Sequence, residues 1–386
     1  MRITAIINLK ILLIAAVFSL SAFAASAQTQ KGADIDGEAA DDQSGFSVSM
    51  PDANTVAIGA YANDGKASDA GHVRIYVWSG STWTQKGADI DGEAMGDQSG
   101  FSVSMPDANT VAIGAFGNDG KASNAGHVRI YSWSGSAWTQ KGADIDGEAA
   151  GDNSGISVSM PDANTVAIGA PGNDGTATDA GHVRIYVWSG SAWTQKGADT
   201  DGEAGSDRSG YSLSMPDANT VAIGAFGNDG KASNAGHVRI YSWSGSAWTQ
   251  KGADIDGEAS YDASGCSVSM PDANTVAIGA QYNDGNASDA GHVRVYSLGN
   301  AGILENTFGN ALKSFPNPTH GETSIELGAN YNDVSVIVRN TTGQEVMRKS
   351  YSSANSFKLN IPGEAGIYLM EVTAQDKKAM LKVVKK

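Results

Sequence analysis

Residues 46–78 read "FSVSMPDANTVAIGAYANDGKASDAGHVRIYVW", and close copies of the stretch begin at Phe101, Ile156, Tyr211 and Cys266. The apolar period within it is two. Phe46, Val48 and Met50 alternate with Ser47 and Ser49; Val56, Ile58 and Ala60 alternate with Ala57 and Gly59; Val73, Ile75 and Val77 alternate with His72, Arg74, Tyr76 and Trp78. That spacing belongs to strands with two distinct faces and not to helices. Pro51-Asp52-Ala53-Asn54 and Asn63-Asp64-Gly65 supply turns between the runs. Beyond Ser79-Gly80-Ser81 a fourth strand is predicted over 83–89, so each copy reads as a four-stranded antiparallel meander.

The copies form an unbroken array. "QKGAD" begins at Gln30, Gln85, Gln140, Gln195 and Gln250, a 55-residue period, and residues 104–139 are identical to 214–249 over all 36 positions. Identity of that degree reports duplication and assigns no function to any one residue. It does predict the architecture, because one such sheet cannot cover its own faces whereas five stacked around an axis cover one another. The fifth copy stops after "HVRVYSL" (292–298), while "QTQKGADI" (28–35) is a fourth strand with no copy of its own. The fold class is therefore read as all-β: a five-bladed β-propeller over 28–298, its last blade closed by the N-terminal strand, followed by a small immunoglobulin-like β-sandwich.

The flanking segments have other compositions. Arg2 and Lys10, the apolar run at 11–24 and Ala25-Ser26-Ala27 follow the order of a secretory signal, giving a predicted signal peptide at 1–27 and a mature chain from Gln28. The run is short of the roughly 20 residues that span a bilayer, so no membrane span is expected in the mature chain. Formal charge is −21 over residues 28–310 and +3 over 311–386, within a total of −16. Such an acidic body repels nucleic acid and anionic lipid. Cys266 is the sole cysteine, which excludes an intramolecular disulfide; it replaces Phe46, Phe101, Ile156 and Tyr211 of the other copies and reads as a small packed residue.

Two family resemblances rest on named residues. Gly45-Phe46-Ser47-Val48, the pair Gly59-Ala60 and the Gly71-x-Val73 start of the third strand, recurring in all five copies, resemble the FG-GAP repeat of integrin α-subunit propellers. Residues 311–386 resemble the type A C-terminal sorting domain of the type IX secretion system, through "SFPNPTHGETSIEL" (314–327), "RNTTGQEV" (339–346), "GIYLMEV" (366–372) and "KKAMLKVVKK" (377–386). The resemblance implies an export address recognised by the type IX machinery, with the domain set at 313–386 after a linker at 299–312, and a secreted or outer-membrane surface location.

Candidate chemistry is sparse. The string "ADIDGEAADDQSG" (33–45) and its four relatives carry acids around a glycine, as calcium loops do. With Gly37 at loop position 6, however, Gly32 and Gln43 occupy the positions of two anchor ligands. FG-GAP blades that bind calcium hold it in the loop between their first two strands, which is here only "PDANTV". The string reads as one turn copied five times; Asp34, Asp36 and Asp42 are the ligands that calcium would use. His72, His127, His182, His237 and His292 are expected in a ring around the axis, where packing explains them as well as metal does. Equivalent blades offer no pair of unlike catalytic groups, so no enzyme is expected, a glycosidase with paired carboxylates being the least strained exception. Loop differences gather on one face, which points to Tyr61, Phe116, Phe226, Tyr261 and Tyr282 as a binding rim for an extracellular glycan, protein or matrix ligand. The alternative is a passive structural protein of the surface layer.

Overall fold

The computed structural model describes residues 28–298, 307–308, 312–341, 343–375 and 377–386; the predicted signal peptide lies outside the described residues, as does most of the predicted linker. The stretch quoted above forms β1 (Ser47–Asp52), β2 (Thr55–Ala60) and β3 (His72–Trp78), followed by β4 (Trp83–Gln85) and β5 (Ile90–Asp91). These pair antiparallel in the order β1-β2-β3-β4, and β5 continues along β3 beyond the end of β4. The fourth strand predicted over 83–89 is thus interrupted, with residues 87–89 leaving the ladder. Gly87 turns there at φ +83°, under the ring of Trp133, which a Cβ would meet at 2.7 Å. Only glycine combines that conformation with that contact.

The five strands recur as β6–β10 over residues 102–146, β11–β15 over 157–201 and β16–β20 over 212–256. The fifth sheet has three strands: β21 (Ser264–Asp272), β22 (Thr275–Ala280) and β23 (His292–Ser297). The protein is all-β, with blade-like sheets stacked so that β1 lies by β6, β6 by β11, β11 by β16 and β16 by β21. At the first junction Val73, Ile75 and Ile90 of one blade pack on Met105, Val111 and Ile113 of the next. The set returns at the later junctions, with Thr200 in the place of Ile90 at the third. Burying one such side chain is worth roughly 1.5–3 kcal/mol, so the junction is the main stabilising unit.

Hydrogen bonds stitch the same seam. Ser47 Oγ donates to Gly100 O at 2.6 Å, and Met105 N donates to Ser49 Oγ at 2.9 Å. Lys86 Nζ reaches Ala108 O at 2.5 Å and Asn109 Oδ1 at 2.8 Å, lying 5.1 and 5.2 Å from the Trp133 and Trp138 ring centroids. Gly59 has no room for a Cβ because the Gly100 carbonyl of the next blade rests on it.

Two details differ from the sequence reading. Residues 28–36 do not pair with β23; they lie on the first blade, where Trp83 Nε1 donates to Lys31 O at 2.7 Å and Arg74 Nη2 to Asp36 O at 2.6 Å. The stack is consequently open, with Val48 62% and Met50 55% exposed at its leading end and Val293 and Val295 each 68% exposed at its trailing end. The histidines expected in a ring around the axis do not group with one another either: His72, His127, His182 and His237 are each buried beside one glutamate and one aspartate, and the His292 side chain is 24% exposed.

The C-terminal unit contains β24 (Lys313–Phe315), β25 (Glu322–Asn340), β26 (Glu345–Asn360), β27 (Gly366–Ala374) and β28 (Lys377–Lys385). They form one sheet in the order β24-β25-β27-β28, with β26 on β25. Phe308 and Leu312, from the predicted linker, are buried in its core beside Ile325, Val336 and Met370, so this unit starts before residue 313.

The open stack makes a differential prediction. Met160→Ala, at a side chain 5% exposed, should cost about 2–5 kcal/mol, whereas Met50→Ala, at the same position of the leading blade and 55% exposed, should fall within about 0.5 kcal/mol. Denaturant titrations at submicromolar protein measure both. Equal losses would show that the leading face is covered.

Candidate functional site

The bulge at residues 87–89, repeated along the stack, creates a cleft at each of the first three junctions. One wall is Asp89, Ile90 and Asp91, and the other is Tyr131, Ala137 and Trp138 of the following blade, enclosing about 270 Å³ with Lys66 at the edge. The next junction repeats it with Asp144, Asp146, Tyr186, Trp193 and Lys121 around about 290 Å³. A third has Asp199, Asp201, Tyr241 and Trp248 around about 170 Å³. The N-terminal segment supplies the same wall to the first blade, setting Asp34 and Asp36 opposite Tyr76 and Trp83 around about 350 Å³.

Each wall is held rigidly. Trp138 Nε1 donates to Lys86 O at 2.7 Å, and the Lys86 ammonium under the indole fixes the ring. Gln85 Nε2 donates to Asp89 Oδ1 at 2.6 Å, which anchors one carboxylate oxygen. Burial pushes the phenols of Tyr76, Tyr131, Tyr186 and Tyr241 up, so they remain neutral donors. Burial and then Asp199 also raise Asp201.

Beneath these clefts lies a triad centred on a buried histidine. His72 Nδ1 is 3.8 Å from Glu38 Oε2 and 3.9 Å from Asp89 Oδ2, and Arg74 Nη1 is 3.5 Å from Glu38 Oε1. Glu93-His127-Asp144, Glu148-His182-Asp199 and Glu203-His237-Asp254 repeat the arrangement. Their ligand atoms lie within 4.8 Å of one another, close enough to hold a metal ion. The neighbouring arginine competes for the same glutamate, Arg74 Nη1 lying 3.5 Å from Glu38 Oε1. The arginine and glutamate already balance each other, leaving the histidine neutral; desolvation, joined by Arg129, lowers His127 against the opposing pull of Asp144, Glu93 and Asp97.

The residues singled out from sequence fall into different places. Asp34 and Asp36 do reach one cleft, but Asp42 stands apart, 3% exposed and accepting the N–H groups of Glu38 and Ala39 at 3.1 and 2.9 Å. Burial opposes its charged form, yet those N–H groups and the Asn63 amide hold its carboxyl below the usual range. The three acids do not converge as calcium ligands. Tyr61 and Phe116 are half-buried in edge-to-face contact with Phe46 and Phe101, at 4.7 and 4.5 Å, and Phe226 pairs with Tyr211 at 4.6 Å. Only Tyr261 and Tyr282 of the five stand free, 64% and 49% exposed. Sequence reading missed Trp83, Trp138, Trp193 and Trp248 as cleft residues. Their recurrence five residues after the "YxW" run of the preceding strand is the signal that could have found them.

Residues 313–386 match the secretion system C-terminal sorting domain family. They are a type IX sorting domain. The chain is accordingly secreted or displayed at the cell surface, and among the described residues no helix is long and apolar enough to cross a membrane. No curated protein matches the chain. Among solved structures it is similar to PorZ, a surface component of the type IX secretion system of Porphyromonas gingivalis, with 12% identity and a TM-score of 0.32 over 92% of this chain. The match spans 61% of PorZ. The β-propeller domain of the Trilobed protease of Pyrococcus furiosus is similar at 8% identity and a TM-score of 0.37, over 87% of this chain and 94% of that domain.

The neutral buried histidines set a pH dependence. Desolvation lowers the pKa of His72, His127, His182 and His237 in the folded chain. The unfolded chain therefore takes up protons first, below about pH 6.5, and stability present above that pH is lost as pH falls toward the folded values. Melting temperature should decline from pH 7 to 5. His127→Gln should show a shallower decline in the same scan; an unchanged slope would mean that the triads do not govern it.

Proposed function

We propose that this exported surface protein is a multivalent glycan-binding module whose subsites are the junction clefts. The observation that carries the reading is the repeated set of one Trp, one Tyr and two Asp facing each other across every cleft. An aromatic face stacks on the C–H face of a sugar ring, while carboxylates and a neutral phenol exchange hydrogen bonds with its hydroxyls. Ligand pockets for drug-sized molecules hold about 300–1,000 Å³, so clefts of 170 to 350 Å³ suit one ring each. Lys66 and Lys121 at two of the clefts offset part of the aspartate charge and add donors for hydroxyl groups. The likeness of the repeats to FG-GAP blades is consistent with a binding role.

Weak single sites in series gain by avidity, since once one cleft is occupied the rest bind intramolecularly. Turnover is not part of the proposal. The cleft of Asp199 and Asp201, with its raised carboxyl, is where a glycosidase reading would be tested.

A glycan array with the full chain should return polysaccharide ligands. Trp138→Ala and Trp193→Ala should each cost about 2 kcal/mol at their own site, and the double variant should lose most of the avidity. Tyr261→Ala and Tyr282→Ala are the comparison. Loss through these tyrosines with the tryptophan variants unaffected would move the site to the loop rim, and release of reducing sugar would make the protein an enzyme.

A further inference from the structure

The two ends of the stack are complementary, and each lacks what the other offers. At the trailing end, Val293 and Val295 are each 68% exposed, where Val73, Val128, Val183 and Val238 are fully buried by the next blade. At the leading end, Val48 and Met50 are 62% and 55% exposed, where Met105, Met160, Met215 and Met270 are 5–6% exposed. Gly279 has no carbonyl resting on it as Gly59, Gly114, Gly169 and Gly224 do, and Gly45, whose equivalents supply those carbonyls, faces open space.

The strand pairing is equally incomplete. β23 carries no fourth strand, while β3 and its equivalents each pair with two short ones. Residues 28–36 already have the shape of that fourth strand. Gly32 turns at φ +83°, as Gly87, Gly142 and Gly197 do, and Gln30 Nε2 donates to Asp34 Oδ1 at 2.8 Å, as Gln85 does to Asp89 at 2.6 Å. The fifth triad is also short of one member: His292 Nδ1 lies 3.7 Å from Glu258 Oε2 but has no aspartate, and its side chain is 24% exposed where the others are 1–2%. By the 55-residue period the missing aspartate is Asp34.

We infer that the chain associates head to tail, the trailing face of one copy packing on the leading face of a second. Residues 28–36 of the second copy pair with β23, and its Asp34 completes the triad of His292. Every contact has a template inside the molecule, repeated at four junctions. Closure of one chain on itself would need every junction to rotate, although each is fixed by the same set of bonds. A contact of this heterologous type propagates until a rotation closes it.

The test is light scattering of the purified full chain over a range of concentrations, beside two surface variants. One carries Val48→Glu and Met50→Glu, and the other Val293→Glu and Val295→Glu; the exposure of all four positions leaves the fold of a single chain intact, which thermal melting checks. The wild type should exceed the mass of one chain and grow with concentration. Each variant alone should be monomeric. Since one variant keeps its trailing face and the other its leading face, an equimolar mixture should yield dimers and nothing larger. A monomeric wild type at every concentration would mean that a single chain covers its own ends and would overturn the proposal. Variants that associate as the wild type does would overturn it as well.

Discussion

The structure depends on one constraint: every sheet has two apolar faces, and only another copy of the repeat fits them. Val73 and Ile75 need Met105, Val111 and Ile113 as much as those need them, so a blade taken alone would expose both faces. Each residue of β7 (Thr110–Ala115) is buried, the outcome for a strand flanked within its sheet and covered by a blade on both sides. The Gly59 and Gly100 contact sets how closely two blades approach, because one methyl group on either would push the seam apart. The glycine pair permits this approach, and Ser47 hydrogen-bonds across it.

The clefts are a product of the same seam. A continuous fourth strand would fill the space beside the next blade, but Gly87 lifts residues 87–89 away from β3 and under Trp133. The lysine preceding that glycine clamps the two tryptophans, and the aspartates following it turn toward the opening. The packed seam and part of the cleft wall thus come from neighbouring residues, the lysine, glycine and aspartate of "QKGAD". A substitution there is expected to disturb both, which is why the cleft tryptophans, and not the lysine, are the informative positions.

The triads around the buried histidines add a different element. Histidine and arginine enter the interior of a body with a charge of −21 over residues 28–310, and the glutamate of the preceding loop crosses over to meet both. Desolvation keeps the imidazole neutral, so the arginine and glutamate compensate one another and the aspartate stays available to the cleft. The sorting domain has none of this repetition. Its core is a single cluster around Ile325, Val336 and Met370, and it is basic where the stack is acidic.

The sequence alone determined the strands, the five copies, the 55-residue period and the export address, because alternation, turn residues and identity between copies are local signals. Its reading of the first three strands of each blade matches β1, β2 and β3 nearly residue for residue. It could not determine what depends on pairs of residues a full repeat apart. Tyr61 and Phe116 were chosen for their aromatic character, but whether an aromatic loop residue meets solvent or Phe101 depends on the blade beside it. Asp34 and Asp36 were noticed as acids near a glycine, whereas their placement opposite Trp83 follows from a bulge that only the Trp133-type contact makes necessary. Counting five third strands and five fourth strands suggested a closed ring. Closure, however, is set by the rotation at each seam, a property of side-chain packing that no tally of strands contains.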